Sequence, residues 1–221
     1  MSRLPAIAAD PVEPLCASGP GAVAEGTLAF YEKNAGPYCA STRLLSMASQ
    51  LALFTEGVRP GSKVLDVGCG SGRDLAALKA AGFVPVGLDV SPRLARLAEE
   101  HSGCSVVVGD MREPPFPDRS FSGIWAAASL LHLRRHEAGP TLVRLRRLLT
   151  AGGSFCASGQ SGSGEENTKD GRWFTYYAPA EWHDLLTQSG FTDIEIQLDE
   201  DTATSKGDED RGWIQSFAHS A

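Results

Sequence analysis

The chain has 221 residues, 42% hydrophobic and 21% charged, which is enough apolar material for one α/β domain with small additions and too much for wholesale disorder. Twenty Lys and Arg against 27 Asp and Glu leave a net charge of -7, which argues against a generic electrostatic grip on nucleic-acid phosphates. No apolar run reaches the roughly 18 residues that cross a bilayer, and the five scattered cysteines, with no C-x-x-C pair, argue against a disulfide framework or zinc site and for a reducing cytoplasm.

In chain order, residues 1–26 carry an apolar stretch broken by Pro5 and Asp10. It cannot make the continuous core of a signal peptide and is expected to be a flexible arm. Thr27 to Gly57 reads as a helix, with Leu44, Leu45, Ala48, Leu51 and Ala52 at three- and four-residue steps. A turn at Arg59-Pro60-Gly61 leads into a strand, Lys63 to Val67, and then at once into Gly68-Cys69-Gly70-Ser71-Gly72. A helix from Arg73 to Ala81 is closed by Gly82, and a second strand, Phe83 to Leu88, ends in Asp89. Ser91-Pro92 is an N-cap followed by proline at the first helical position, opening a helix through Glu100.

Cys104 to Val108 is a third strand ending at Gly109-Asp110, and the proline-rich Met111 to Ser120 a loop. Phe121 to Ala127 is a fourth strand, Glu137 to Leu149 a helix, and Ser154 to Ala157 a fifth strand. Gln160 to Arg172 is expected as a polar loop, Pro179 to Ser189 as a helix and Phe191 to Leu198 as a strand. An acidic stretch, Asp199 to Asp210, precedes a last strand from Gly212 to Ala218. Strands alternating with helices imply right-handed βαβ crossovers and a mostly parallel sheet, whose ligands collect beyond the carboxyl ends of the strands.

The chemistry concentrates at those ends. A glycine turn opening a helix serves many ligands, but here the dinucleotide spacing G-x-G-x-x-G fails because Arg73 fills the third glycine's slot. Asp66 stands two residues before Gly68, where a carboxylate repels a pyrophosphate and attracts an ammonium or sulfonium group. Asp89 follows Gly68 by 21 residues, about where an acidic side chain takes both ribose hydroxyls. Asp110 can accept from an adenine amino group, and Met111 beside it offers backbone and an apolar surface. Singly, strand-end aspartates also serve as helix caps; three of them with the glycine loop describe a site for an adenosine carrying an amino acid and no phosphates.

VLDVGCGSGRD, VGLDVS, GDM and FSGIWAAASLLHL together resemble successive signature segments of the class I S-adenosylmethionine-dependent methyltransferases of small-molecule type, over roughly Thr27 to Ala218. The resemblance implies a single Rossmann-like domain, residues 27–221, behind the arm 1–26. Its sheet would be seven-stranded and mostly parallel, in the order 3-2-1-4-5-7-6 with strand 7 antiparallel, and helices would cover both faces. It implies S-adenosylmethionine as cofactor, with S-adenosylhomocysteine as product. Cofactor contacts would come from Tyr31, Asp66, Gly68, Cys69, Gly70, Asp89, Val90, Asp110 and Met111, and from the backbone at Ala126 and Ala127. Two departures stand out: Gly123 falls where the family is bulkier, and Ala128-Ser129 supplies no Asn-Pro-Pro-Tyr-type dipeptide, which weakens any case for methylating nucleic-acid amino groups or protein glutamine.

Methyl transfer from a sulfonium needs alignment above all, and a base only where the acceptor must lose a proton. His132 is the candidate general base; the alternative is a histidine satisfying backbone groups at a helix end. Tyr31 and Tyr38 lie on a segment that resembles the lid helix of small-molecule members. Tyr38, Arg172, Trp173, Tyr176, Tyr177 and Arg211 are candidate acceptor contacts, although core packing explains such an aromatic cluster and Asp208 or Asp210 could pair with Arg211. The arginines Arg134, Arg135, Arg144, Arg146 and Arg147 lack the interleaved aromatics that stack bases and read as a solvated helix surface. The expectation is a cytoplasmic enzyme that methylates a small molecule by in-line displacement, with no metal and no membrane or nucleic-acid partner. A cofactor-binding scaffold without catalysis and an NAD-dependent oxidoreductase stay open as alternatives.

Overall fold

The computed structural model describes residues 22–199 and 211–221. Residues 1–21 of the expected arm and 200–210 of the acidic stretch lie outside it. The described part of that arm, 22–26, is helical: α1 spans Ala22–Thr42 and α2 Ala48–Glu56. Then follow β1 (Lys63–Val67), α3 (Arg73–Ala80), β2 (Val84–Asp89), α4 (Pro92–Ser102), β3 (Ser105–Val108) and β4 (Phe121–Ala127). A 3-10 turn at Leu130–His132 leads to α5 (Arg135–Leu148), β5 (Leu149–Gln160), β6 (Glu165–Asn167), β7 (Trp173–Thr175), α6 (Pro179–Gln188), β8 (Phe191–Asp199) and β9 (Trp213–Ser220).

The main sheet has seven strands in the order β3-β2-β1-β4-β5-β9-β8. Strands β1 to β5 are parallel, and β9 runs antiparallel between β5 and β8. Counted within the sheet alone, this is the order 3-2-1-4-5-7-6. Helices α5 and α6 cover one face over Ile124, Ala126, Phe155 and Ile214. Phe54 and Val58 cover the other over Val64, Trp125 and Cys156. All four parallel ends that matter here, Val67, Asp89, Val108 and Ala127, reach the same edge.

The helix α4 follows its sequence signals closely. The Ser91 hydroxyl accepts from the Leu94 amide at 3.0 Å, Pro92 occupies the first turn, and Gly103 closes the helix at φ 61°. Three expectations need correction. The helix expected from Thr27 to Gly57 is two helices: the Arg43 amide still bonds the Cys39 carbonyl, but the Leu44 and Leu45 amides turn to the Ser41 and Thr42 carbonyls three residues back, and the ladder ends. Leu44 and Leu45, which lie on the expected helical period, are 86% and 59% exposed at that break. The polar loop Gln160 to Arg172 contains β6, which pairs with β7 in a two-stranded hairpin beside the sheet. Gly123 is explained by α2: a Cβ there would sit 2.7 Å from the Phe54 ring, so an aromatic from the neighbouring helix supplies the bulk.

Candidate functional site

The turn after β1 is shaped by what passes over it. Gly68 has φ +69° and an added Cβ would lie 2.5 Å from the Cβ of Ser129; Gly70 has φ +52° and a Cβ would press the Tyr38 ring at 3.2 Å. Both positions need the left-handed backbone and the missing side chain at once. The Gly68 amide donates to the Leu88 carbonyl at 2.7 Å, tying the turn to the end of β2.

Beneath it lie the acidic groups. Asp66 is 3% exposed, and its Oδ2 is buried with no hydrogen-bond partner. Burial, with the neighbouring Asp74 and Asp89 carboxyls, drives its pKa well above the ordinary carboxylate value, against the opposing pull of Arg73. Asp74 does have partners: the Arg73 guanidinium grips both oxygens at 2.7 Å, and the Trp125 indole donates at 3.0 Å. Asp89 receives the Ser91 amide on Oδ1 and the Gly70 amide on Oδ2, each at 2.9 Å. Burial nevertheless raises it to about 6, with those two bonds pulling the other way. Asp110 differs from the reading of the sequence, since Arg112 holds both its oxygens and bridges on to Glu137 at 2.8 Å. Burial pushes Asp110 up, but the Arg112 bonds outweigh it and keep the carboxyl below its usual range.

These groups border two connected spaces. A narrow cleft of about 100 Å3 runs past Asp89, Val90, Asp110 and Met111. A larger cavity of about 660 Å3 reaches from Asp66 and Cys69 out to Arg172, Phe174, Tyr176 and Arg211. Tyr31, Tyr38, Gly68, Ala128 and His132 border both. Ala126, expected at the wall, is fully buried inside β4; Ala127 and Ala128 border the larger cavity instead, the latter with φ 52°.

Tyr31 and Tyr38 come from α1, which is fastened across the site. Glu32 Oε1 accepts from the Arg93 amide at 3.0 Å and from the Ser91 hydroxyl, so a carboxylate from α1 caps the N-terminus of α4. Arg43 donates to the Ser71 and Leu97 carbonyls, and the Thr27 hydroxyl accepts from the Trp173 amide at 3.0 Å. His132 lies under this helix. Its Nδ1 is 2.6 Å from the Trp173 carbonyl, which can only accept, so Nδ1 carries the proton. Nε2 therefore accepts from the Tyr31 hydroxyl at 2.9 Å. Burial lowers the histidine to about 4 against the opposing effect of the carbonyl bond, so it is neutral near pH 7, and burial raises the Tyr31 hydroxyl.

The aromatic segment divides by strand alternation. Arg172, Phe174 and Tyr176 face the cavity. Trp173 and Tyr177 do not, which corrects both as acceptor contacts. Trp173 lies 4.8 Å beneath the Arg134 guanidinium, and Tyr177 packs on Trp182 at 5.2 Å with Arg135 over its ring at 4.6 Å. Arg211 lies 4.0 Å over the Tyr176 ring; Asp208 and Asp210, considered as its partners, fall outside the described residues. Residues missed in the sequence are Phe174, Gln160, Glu166 and Trp213 in the larger cavity and Arg112 in the cleft. The two-residue period through 172–176 was the signal for Phe174. Of the expected surface run, Arg147 is exposed and pairs with Asp118, while the half-buried Arg135 bonds Glu181 and Arg146 the Ser189 carbonyl.

Residues 64–153, from β1 into β5, match the family model described as a methyltransferase domain. The chain is 30% identical over 145 residues to the demethylmenaquinone methyltransferase of Symbiobacterium thermophilum, covering 57% of this chain and 55% of that protein. It is 31% identical over 180 residues to phosphoethanolamine N-methyltransferase 1 of Arabidopsis thaliana, covering 74% of this chain and 35% of that one. The chain thus spans about half or less of these relatives' lengths. Among solved structures, the 1,6-didemethyltoxoflavin-N1-methyltransferase of Burkholderia thailandensis, with bound 1,6-didemethyltoxoflavin and S-adenosylhomocysteine, superposes with a TM-score of 0.71 at 21% identity, covering 95% of this chain and 92% of that one. This likeness shows the fold.

Proposed function

We propose that this chain transfers a methyl group from S-adenosylmethionine to a small molecule held in the larger cavity, a reading supported by the match of residues 64–153 to the methyltransferase-domain model. The observation that carries the reading is the partnerless, buried Oδ2 of Asp66 beneath the glycine turn. A buried carboxyl oxygen without a donor costs free energy unless a ligand completes it, and an ammonium group completes it where a pyrophosphate could not. The same argument weighs against a nicotinamide dinucleotide.

On this reading the cleft takes the adenosine. Asp89 receives the ribose hydroxyls while Gly70 and Ser91 hold its carboxylate in place, and Val90, Asp110 and Met111 border the base. Arg112 keeps Asp110 ionised as an acceptor. The glycine turn, Cys69 and Ala127 line the methionine end. The bound sulfonium supplies an activated methyl carbon and a good leaving group; the chain supplies alignment and excludes water. His132 is a weak base when buried, and its role is to hold the Tyr31 hydroxyl at the junction of the two spaces. In that sense it is a positioning residue, as the Trp173 carbonyl is for His132. We also place the protein in a reducing, cytoplasmic setting, a reading supported by the free thiols of Cys39, Cys69, Cys104 and Cys156, three of them buried. Among the described residues no helix is long and apolar enough to cross a membrane.

The test is a screen of metabolite extracts with donor labelled in its methyl carbon, using Asp89→Ala as the control. Label should move into a small-molecule product with wild-type protein and not with the variant. Donor binding with no transfer to any extract would leave the chain a cofactor-binding protein.

A further inference from the structure

We propose that the larger cavity receives a flat oxygen acid in its ionised form, a carboxylate or an acidic enol or phenol on a planar ring, and that this anionic oxygen is the methyl acceptor; the inference rests on the donor assignment above. Five planar groups form a ladder, four of which, Arg172, Phe174, Tyr176 and Arg211, border the cavity. Arg172 lies 4.3 Å over the Phe30 ring and 5.1 Å over Phe174. Phe174 and Tyr176 stack within 9° at 6.4 Å, and Arg211 covers the far side at 4.0 Å. Aromatic faces fix the planes of both guanidiniums and hold their charge at the cavity wall. Arg172 turns Nε and Nη2 to Asp170, and its charge opposes the rise that burial imposes on the Tyr31 hydroxyl, so that charge is felt where the two spaces meet.

The groups that could take a proton there point the same way. His132 is lowered to about 4. Glu166 accepts from the Tyr176 hydroxyl at 3.0 Å, Asp170 is taken by Arg172, and Asp74 on the floor is held by Arg73 and Trp125. Asp66 is the group assigned to the donor's ammonium. Burial raises the hydroxyls of Tyr31 and Tyr38, which keeps them as donors. A neutral alcohol or an alkylammonium acceptor would need a base of better-matched pKa, and the ammonium would also meet two guanidiniums. An ionised oxygen acid needs neither. Its oxygen pair forms the new bond to the methyl carbon as the carbon–sulfur bond breaks, the latter pair stays on sulfur, the two opposite charges cancel, and no proton moves.

The experiment uses the full chain saturated with S-adenosylhomocysteine and calorimetric titration with three probes of one shape: benzoate, benzamide and benzylamine. Benzoate should bind at least about tenfold more tightly than benzamide, with benzylamine weakest. Arg172→Gln or Arg211→Gln should abolish that preference, Arg172→Lys should retain part of it, and affinity for S-adenosylhomocysteine should stay within about twofold in all three variants. In the labelled-methyl assay, a carboxylate product should release its label as methanol in mild alkali. Equal or better binding of benzamide or benzylamine, an anion preference that survives both Gln variants, or no binding of benzoate at millimolar concentration would overturn the proposal. Failure to bind S-adenosylhomocysteine would overturn the donor assignment instead, so the two failures are separable.

Discussion

Replacing Asp89 by Asn should make the ligand-free protein more stable at neutral and alkaline pH while removing its grip on the donor. The side chain is 6% exposed, and burial raises it from 3.8 to about 6. At about 1.4 kcal/mol per pH unit, that rise costs the folded state ~3 kcal/mol once the carboxyl is ionised. The sign follows from proton binding: between the two values the folded state holds the proton the unfolded chain has lost. The carboxylate therefore imposes no penalty below the unfolded value, and stability falls as pH rises through about 6. Asparagine carries no charge to desolvate, but its one carbonyl can keep only one of the two amide bonds from Gly70 and Ser91, a loss of ~1 kcal/mol. The net expectation is a gain of ~2 kcal/mol at about pH 8, or ~4–8 °C in Tm for a chain of this size, turning into a loss of up to ~1 kcal/mol at about pH 4. Urea unfolding of both proteins across this range measures the difference directly. A variant that is less stable by the same amount at both pH values would refute the reasoning, because the carboxylate would then carry no burial cost.

Phe54→Ala should destabilise by ~3–5 kcal/mol through the lost ring and the gap left over Gly123. Gly123→Ala should destabilise the wild type yet be far better tolerated beside Phe54→Ala, a coupling that a double-mutant cycle in denaturant will show. Glu32→Gln removes the carboxylate that α1 places at the start of α4, at ~0.5–1 kcal/mol. It should speed proteolytic cutting within residues 22–42 and weaken donor binding, with an unchanged cutting rate counting against the fastening role. Tyr177→Phe should be neutral or stabilising by up to ~1 kcal/mol, because the Tyr177 hydroxyl is buried without a partner. Phe174→Ala should leave Tm nearly unchanged and impair acceptor binding, the reverse of what core packing would give.

The sheet order and the cofactor edge were legible because their signals are local. Asp66, Asp89 and Asp110 each sit at a strand tip, and the glycines and the Ser91-Pro92 cap announce the turns around them. What stayed hidden depends on neighbours far along the chain. The bridge from Asp110 through Arg112 to Glu137 joins the loop after β3 to α5, and the proton on His132 is set by the carbonyl of Trp173, 41 residues on. Trp173 and Tyr177 were misplaced because the cluster was read by composition; with β7 recognised as a strand, period two sends them to the opposite face from Phe174 and Tyr176. Leu44 and Leu45 obeyed a helical period through a break where their own amides turn to carbonyls three residues back. Gly123 could be understood only with Phe54 in view.

The most direct measurement is calorimetric titration of wild type and Asp66→Asn with S-adenosylmethionine and, separately, with NAD. Tight binding of the sulfonium donor to wild type, at least about tenfold weaker in the variant, with no heat from NAD in either protein, is the predicted result. Binding of NAD, or donor affinity indifferent to the loss of the Asp66 charge, would contradict it.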